Sequence, residues 1–297
     1  MERVVDVAIE NALREIGSRL DQRIFPRVKN GGLVMPSELT VPSTLGEEKY
    51  HEKQRRSTTK PRKWAPGGER AAGRSWSPRQ ATPLVSTSVQ VRYEDELDAI
   101  HRAYPGTKVW EQADGLWLLT ESSLLPRLQK AAIFLTGVSY DRTIVRAWGF
   151  WRCSLGGLTW IGSRHTNFPD GSICAFHPTD GTWVFGDSIV ELLDLYTLWA
   201  FRHLHLEVFG RWPGQQAVFH PYERILELKE DEYCGCGRPD MLYGECCRDK
   251  DLSRNQVADA VNFVIEFAGG LREPPHAIVQ SVREQSEPPS LNDLLLK

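Results

Sequence analysis

The stretch HTNFPDGSICAF, residues 165–176, puts one cysteine, Cys174, just past a tight polar turn, with Trp183 nine residues further on. Asp170-Gly171 signals the turn, Pro169 fixes the backbone ahead of it, and Ile173 anchors the chain beside the thiol. Asp, Gly and Ser neighbours suit a thiol held near solvent as a nucleophile better than a small apolar residue filling a core. Attack requires the thiolate, hence a depressed pKa or a nearby base, unless the cysteine only exchanges an acyl group that is already activated. His165 and His177 are close along the chain, which does not by itself make either one that base.

A second group of residues, Cys234-x-Cys236-x9-Cys246-Cys247, offers four thiolates in two close pairs. Such a set suits tetrahedral zinc, and Gly235 and Gly237 let the backbone wrap around the metal. With all four ligands supplied by the chain, the expected site is closed and structural, a Zn2+ centre rather than a catalytic one. Unligated or redox-active thiols are the alternative. Cys153 falls within a strand-like run and reads as core.

The residues around Cys174 resemble the His-Pro-Asn … Cys … Trp active-site region of ubiquitin-conjugating enzymes: His165-Thr166-Asn167, then Asp170 to Cys174, then Trp183 and a long amphipathic helix. The chain is most similar to divergent bacterial members encoded in antiphage operons, including CBASS-type operons with cGAS-like nucleotidyltransferases. The resemblance covers roughly residues 90–230, the usual size of one domain. Thr166 stands where proline is usual in that family, and the interval from Asn167 to Cys174 is one residue shorter. The segment YCGCGRPDMLYGECC, residues 233–247, resembles the SEC-C zinc motif, with one more residue than usual between the pairs.

The first resemblance implies that Cys174 holds a protein C-terminus as a thioester and passes it to an amine. Thioester exchange is nearly balanced, so loading needs no strong resident base. It also implies that the Asn167 amide donates to the oxyanion of amine attack, a contribution of typically ~3 kcal/mol. The residue type equally allows Asn167 to bond the turn backbone and shape the loop. His165 is expected to anchor that loop, and Trp183 to support it from the core. Asp180 and Asp187 flank the cysteine and could position an incoming lysine. Asp187 fits a helix N-terminus better, and Asp180 stays open for the catalytic role.

The 297 residues are 41% apolar and 25% charged, ordinary for a globular protein. The net charge of −3 is uneven, since residues 47–80 hold ten Lys or Arg against four acidic residues. That stretch is also rich in Pro, Gly, Ser and Thr, with only Trp64 and Trp76 for stacking, so it reads as a solvated linker and nucleic acid is not expected. No apolar run approaches the ~20 residues of a membrane span, and Glu2, Arg3, Asp6 and Glu10 do not suit a secretory signal. The expected location is the cytoplasm, with no membrane partner.

The organisation expected is α+β. Residues 1–30 hold an amphipathic helix, with Val5, Ile9, Ala12, Leu13, Ile16 and Leu20 on one stripe, packed on its own domain or docking a partner. A basic flexible linker follows over 31–85, a catalytic domain over 86–230, the zinc segment and a helix over 231–270, and a mobile tail over 271–297. Periodicity gives a short helix with Leu97, Ile100 and Tyr104, then four strand-like runs at 115–119, 132–135, 144–153 and 158–161. Turns at Asp114-Gly115, Tyr140-Asp141 and Gly156-Gly157 make these a four-stranded antiparallel meander. After the cysteine turn, Ser188-x-x-Glu191 caps a long helix with Ile189, Leu192, Leu193, Tyr196, Trp199, Ala200 and Leu204 on its stripe. The arrangement of these elements as a UBC-like domain is implied by the family.

The leading functional expectation is therefore a transferase with a cysteine thioester intermediate in antiphage defence. Its cargo is a ubiquitin-like protein or the C-terminus of a cGAS-like nucleotidyltransferase. No Gly-rich nucleotide motif is visible, so either a separate activating enzyme loads Cys174 or the cysteine captures its partner directly. A non-catalytic adaptor that binds a partner through the same fold and its zinc segment is the competing reading. A papain-like thiol hydrolase comes last, because His203, His205 and His220 form no recognisable pattern.

Overall fold

The computed structural model describes residues 27–34, 87–122, 130–141, 143–153, 156–176, 182–238, 241–267 and 269–295. The amphipathic stripe up to Leu20, the basic stretch 47–80, His177 and Asp180 lie outside the described residues. The described chain is α+β. It opens with a hairpin of β1 (Arg27–Lys29) and β2 (Gly32–Val34), followed by helix α1 (Thr87–Ala103). Strands β3 (Lys108–Glu111), β4 (Gly115–Ser122), β5 (Lys130–Ser139), β6 (Val145–Cys153) and β7 (Leu158–Trp160) then pair antiparallel in chain order. Helix α2 (Ile189–Phe209) and the shorter α3 (Pro221–Glu227), α4 (Tyr243–Cys246), α5 (Arg248–Leu252), α6 (Gln256–Glu266), α7 (His276–Glu284) and α8 (Leu291–Leu295) complete it.

The meander has five strands where four were expected. The extra one, β3, is an edge strand in register with β4 from Lys108 opposite Leu119 to Glu111 opposite Leu116. With only Val109 and Trp110 apolar in four residues, its strand character comes from the partner beside it rather than from its own pattern.

Both faces of the sheet are covered. Leu116, Leu118, Ala132, Phe134, Ala147 and Trp151 share one core with Ile100 and Tyr104 of α1 and with Leu193, Tyr196 and Ala200 of α2. The alternate residues Trp117, Leu119, Ile133, Leu135, Trp148 and Phe150 form a second core with Ile278 and Val282 of α7 and Leu291 of α8. Period-2 alternation between two buried faces produces the unbroken apolar runs read in the sequence.

The expectation of a mobile tail from residue 271 is thus corrected, since residues 276–295 form the second layer. Gly115 and Gly137 leave the notch that Leu291 fills: a Cβ at either position would come within 2.5 Å of the Leu291 methyls. Asn292 N–H donates to Asp114 Oδ2 at 3.0 Å, and Gln112 Nε2 to the Pro288 carbonyl at 2.7 Å, so polar bonds fix the same edge.

Helix α2 begins as its cap predicts, with Ser188 Oγ accepting from Val190 N–H at 3.1 Å. The carboxylate that accepts from Ile189 N–H is Glu96 of α1, at 3.0 Å, which seats the two helices together. Gly210, at φ +67°, ends the helix in the left-handed conformation and returns its N–H to the Leu206 carbonyl. All seven apolar residues of the predicted stripe are buried.

Residues 27–34 lie on the expected helix–linker boundary and form neither. Asn30 and Gly31, both at positive φ, make the tight turn of the β1–β2 hairpin. Their N–H groups donate to the Asp194 carboxylate of α2 at 3.0 and 2.8 Å, and Tyr104 Oη donates to it at 2.6 Å. Burial, with Asp194 adding to it, pushes the Tyr104 phenol well above its ordinary pKa. The hairpin is therefore clipped to the main domain by one carboxylate.

If the C-terminal layer contributes as this packing requires, Leu291→Ala will lower the unfolding free energy by about 2–5 kcal/mol, the usual loss for a fully buried leucine. Urea unfolding followed by tryptophan fluorescence measures it, and an unchanged midpoint would show that the layer does not hold the sheet.

Candidate functional site: a cysteine cleft joined to a four-cysteine cluster

The loop after β7 is built from the backbone outward. Ile173 N–H donates to the Ala147 carbonyl at 2.7 Å, continuing the sheet, and Thr166 pairs with Ile173 as an isolated antiparallel bridge. Between them the polar turn closes on itself. Asn167 N–H donates to Ser172 O at 2.7 Å, Gly171 N–H to Asn167 O at 2.9 Å, and Ser172 N–H to Asp170 Oδ1 at 3.0 Å. Gly171 sits at φ +63°. A side chain there would meet Trp160 and the Glu273–Pro274 backbone near 3 Å, so the turn is packed as well as bonded.

Cys174 leaves this turn with its N–H donated to the His165 carbonyl at 3.0 Å. The same carbonyl accepts from Trp199 Nε1 at 2.9 Å. The Trp199 ring packs against Gly149 of β6, where a Cβ would approach it to 2.6 Å. The thiol's position is thus set by α2 and β6 together. Cys174 is half-buried rather than fully exposed, and it lines a cleft of about 810 Å3 together with Asn167.

Asn167 Nδ2 donates to Ser172 Oγ and to the Ile173 carbonyl, both at 3.1 Å. In this structure its amide shapes the turn. His165 is half-buried at φ +51°, its ring tilted against Trp212 with centroids 4.1 Å apart, and its Nε2 faces Gln216 Oε1 at 3.1 Å. Because Arg164 Nη2 also donates to that oxygen at 2.8 Å, the oxygen is an acceptor and Nε2 carries the proton. Burial, helped by the neighbouring Arg164 charge, drives the His165 pKa well below the ordinary imidazole value, so the ring is a neutral anchor.

Trp183 is buried beneath Phe176 and Phe185 and donates Nε1–H to Ser188 O at 3.0 Å. Asp187 accepts from Val184 N–H at 3.0 Å and shapes the entry to α2. His203, packed on Trp199 and Trp212, is brought down to about 3 by burial, with a backbone hydrogen bond opposing the fall. His220 caps α3 through Nδ1. Cys153 is half-buried at the end of β6 rather than in the core.

The cleft is also lined by residues between Trp212 and Glu227, by Phe267 and by Arg272. Three buried arginines fasten it, none of which the residue pattern singled out. Arg164 makes a two-pronged pair with the fully buried Glu232, at 2.9 and 2.7 Å. Glu232 also accepts from the N–H groups of Trp212 and Lys229. Arg272 donates to the Ser163 carbonyl of the loop at 2.8 Å and to Glu223 and Glu227 of α3 at 2.5 and 2.7 Å, its guanidinium 4.0 Å above the Phe168 ring. Arg224 makes a two-pronged pair with Asp251 of α5, both at 2.8 Å.

Two residues after Glu232 comes the cysteine cluster. The Sγ atoms of Cys234, Cys236, Cys246 and Cys247 all lie within 4.8 Å of one another, with Cys236–Cys246 at 3.6 Å and Cys246–Cys247 at 3.7 Å. A tetrahedral metal with bonds of about 2.3 Å to sulfur requires S···S edges near 3.8 Å, so these four residues fit a metal ion. Burial raises the Cys234 thiol and opposes ionisation of Cys236. At Cys236 the Arg238 N–H and the neighbouring thiols prevail and bring it down to about 7. Gly235 presses on the backbone of Val218, where a Cβ would approach Val218 N to 2.3 Å, and Val218 N–H donates to Gly235 O at 2.9 Å. Gln216 Nε2 donates to Tyr233 O at 2.7 Å. The cluster and the cleft wall are thereby one packed body.

No family model, curated protein or solved structure matches this chain. Its chemistry has to be argued from the cleft itself. Among the described residues no helix is long and apolar enough to cross a membrane.

The network around Glu232 predicts that Glu232→Ala, which removes the two-pronged partner of buried Arg164 and leaves it only Glu227 at 3.9 Å, costs about 3–5 kcal/mol. Urea denaturation compared with Asp231→Ala, whose pair with Arg211 is solvent-exposed and worth under about 1 kcal/mol, tests it; equal effects would refute the assigned weight.

Proposed function

We propose that this protein is a ubiquitin-conjugating-like acyl carrier. It forms a thioester between Cys174 and a protein C-terminus and transfers the acyl group to an amine. The observation that carries the reading is a single nucleophile-bearing turn, with Cys174 beside Asn167 in an open cleft, between an antiparallel meander and a long helix. The resemblance of residues 165–183 to the family's active-site region gives the chemistry and the setting. That setting is bacterial antiphage defence in the cytoplasm, with a ubiquitin-like protein or a cGAS-like nucleotidyltransferase C-terminus as cargo and a separate activating enzyme as the source of activated acyl groups.

In this mechanism the Cys174 thiolate attacks the activated carbonyl and the previous carrier leaves as its own anion. An amine then attacks the thioester and Cys174 departs. His165 is too weak a base for either step, because burial of its ring and the Arg164 charge hold its pKa well below the ordinary imidazole value. Asn167 acts as oxyanion donor only by exchanging its bond to Ser172 or Ile173 for one to the intermediate. The four cysteines hold Zn2+ as a SEC-C-like structural centre, which would stabilise the segment that walls the cleft.

A second reading, an adaptor that binds a partner through its zinc segment, draws on α6. Its outer stripe of Val257, Val261, Val264 and Ile265 is exposed, and so is Leu271 beyond it.

Cys174→Ala is expected to abolish a reductant-sensitive adduct in protein recovered from its native host, with Cys153→Ala leaving it intact. Intact-mass spectra with and without thiol reductant decide this, and an adduct that survives Cys174→Ala refutes the carrier. Asn167→Ala separates two roles: a pure oxyanion donor leaves loading intact and slows transfer ~100-fold, whereas loss of the turn bonds lowers both together. Elemental analysis is expected to find one zinc per chain, released by Cys246→Ser. Metal-free protein purified without chelator would sink that assignment.

A further inference from the structure

The cleft that holds Cys174 also holds a carboxylate pair, Glu223 and Glu227, four residues apart on α3. The four-residue spacing puts both on one face of the helix. One guanidinium, Arg272, bonds both carboxylates and reaches across to the Ser163 and Thr166 carbonyls of the cysteine loop. Thr166 in turn pairs with Ile173, next to the nucleophile. Arg164 Nε also lies 3.9 Å from Glu227 Oε2, so the carboxylate pair is held among two guanidinium groups in the cleft that the thiol lines.

We propose that Glu227 is a catalytic residue of the acyl-transfer step, accepting the proton that the attacking amine loses on the Cys174 thioester. The proposal rests on the acyl-carrier reading given above. As the amine nitrogen bonds to the thioester carbonyl, its proton passes to the Glu227 carboxylate, directly or through one water. The C–S bond then breaks and Cys174 leaves as a thiolate. Charge and protons balance when Glu227 returns its proton to that thiolate or to solvent.

The other titratable groups of the cleft do not suit this task. His165 is held well below the ordinary imidazole pKa by burial of its ring and by Arg164, and His220 Nδ1 is committed to the α3 cap. Glu227 faces Arg272, Arg164 and Glu223. Burial pushes its carboxyl up to about 7, against the pull of Arg272, with Glu223 adding to the rise and Arg164 opposing it. A base of that strength is ionised above neutral pH yet basic enough to take a proton in the transition state.

The test loads Cys174 with a synthetic glycylglycine aryl thioester, then follows discharge to Nα-acetyl-lysine, whose only amine is the ε-amine, by intact mass from pH 5.5 to 9. Lysine titrates near 10.4, so the fraction of free amine alone gives a rate rising tenfold per pH unit throughout this range. With Glu227 as base, the wild-type profile is steeper below pH 7 and bends to that slope above it. Glu227→Gln should load normally, lose the bend and discharge about 100-fold more slowly at pH 8. Glu223→Gln should keep a bend, moved to lower pH because a neighbouring negative charge is gone.

A Glu227→Gln profile that retains the bend overturns the proposal while leaving the acyl carrier standing. Loss of loading in Glu227→Gln alone makes Glu227 a structural residue of the cleft and also overturns it. Failure of wild-type protein to load at Cys174 removes the carrier reading and this inference with it.

Discussion

Glu232 is the constraint on which the functional half of the molecule depends. A carboxylate with no exposed surface is tolerable only when every lone pair is engaged, and here Arg164 and the N–H groups of Trp212 and Lys229 engage them. These partners come from three separate segments: the cysteine loop, the turn after α2, and the approach to the cysteine cluster. Satisfying one buried charge therefore fixes the mutual position of all three. Replacing the pair by apolar side chains of equal volume could match its stability, but would lose the geometric selectivity of a two-pronged guanidinium–carboxylate contact.

The same logic extends outward. Arg272 ties the loop to α3, and Arg224 ties α3 to α5, so the wall of the cleft is held by charges in register rather than by a large apolar core. The apolar cluster beside the four cysteines is small, with Val218, Leu228, Cys234 and Tyr243 as its buried members. A segment with so little to bury relies on bonds of defined direction, and four thiolates around one ion would extend the arrangement.

How much of this the sequence disclosed follows from the range of each interaction. The meander, the capped α2 and the four cysteines were legible because their signals are local: turn residues, an N-cap and apolar periods. Strand β3 was not, since it exists through its pairing with β4. The β1–β2 hairpin does carry a local signal, Asn30-Gly31, the dipeptide suited to two successive positive-φ positions. The docked α7 and α8 could have been inferred indirectly. Runs such as Gly115–Leu119 and Ala132–Leu135, apolar on both faces, require two covering layers, and one long helix supplies only one. The arginine network was beyond reach, because Arg164, Glu232 and Gln216 have unremarkable neighbours and meet only across 52 and 68 positions of chain.

The second layer of the sheet also sets an order of events during synthesis. Bonds from Gln112 and Asp114 to the α8 region span 175 to 178 positions. All five strands therefore leave the ribosome long before the helices that cover Trp117, Leu135 and Trp148. Through that interval the nascent chain presents a flat aromatic face to its surroundings, a surface on which holdase chaperones act and from which intermolecular association begins. The closing of α7 and α8 is the step that ends this exposure, and its long loop makes it slow relative to the hairpins already formed.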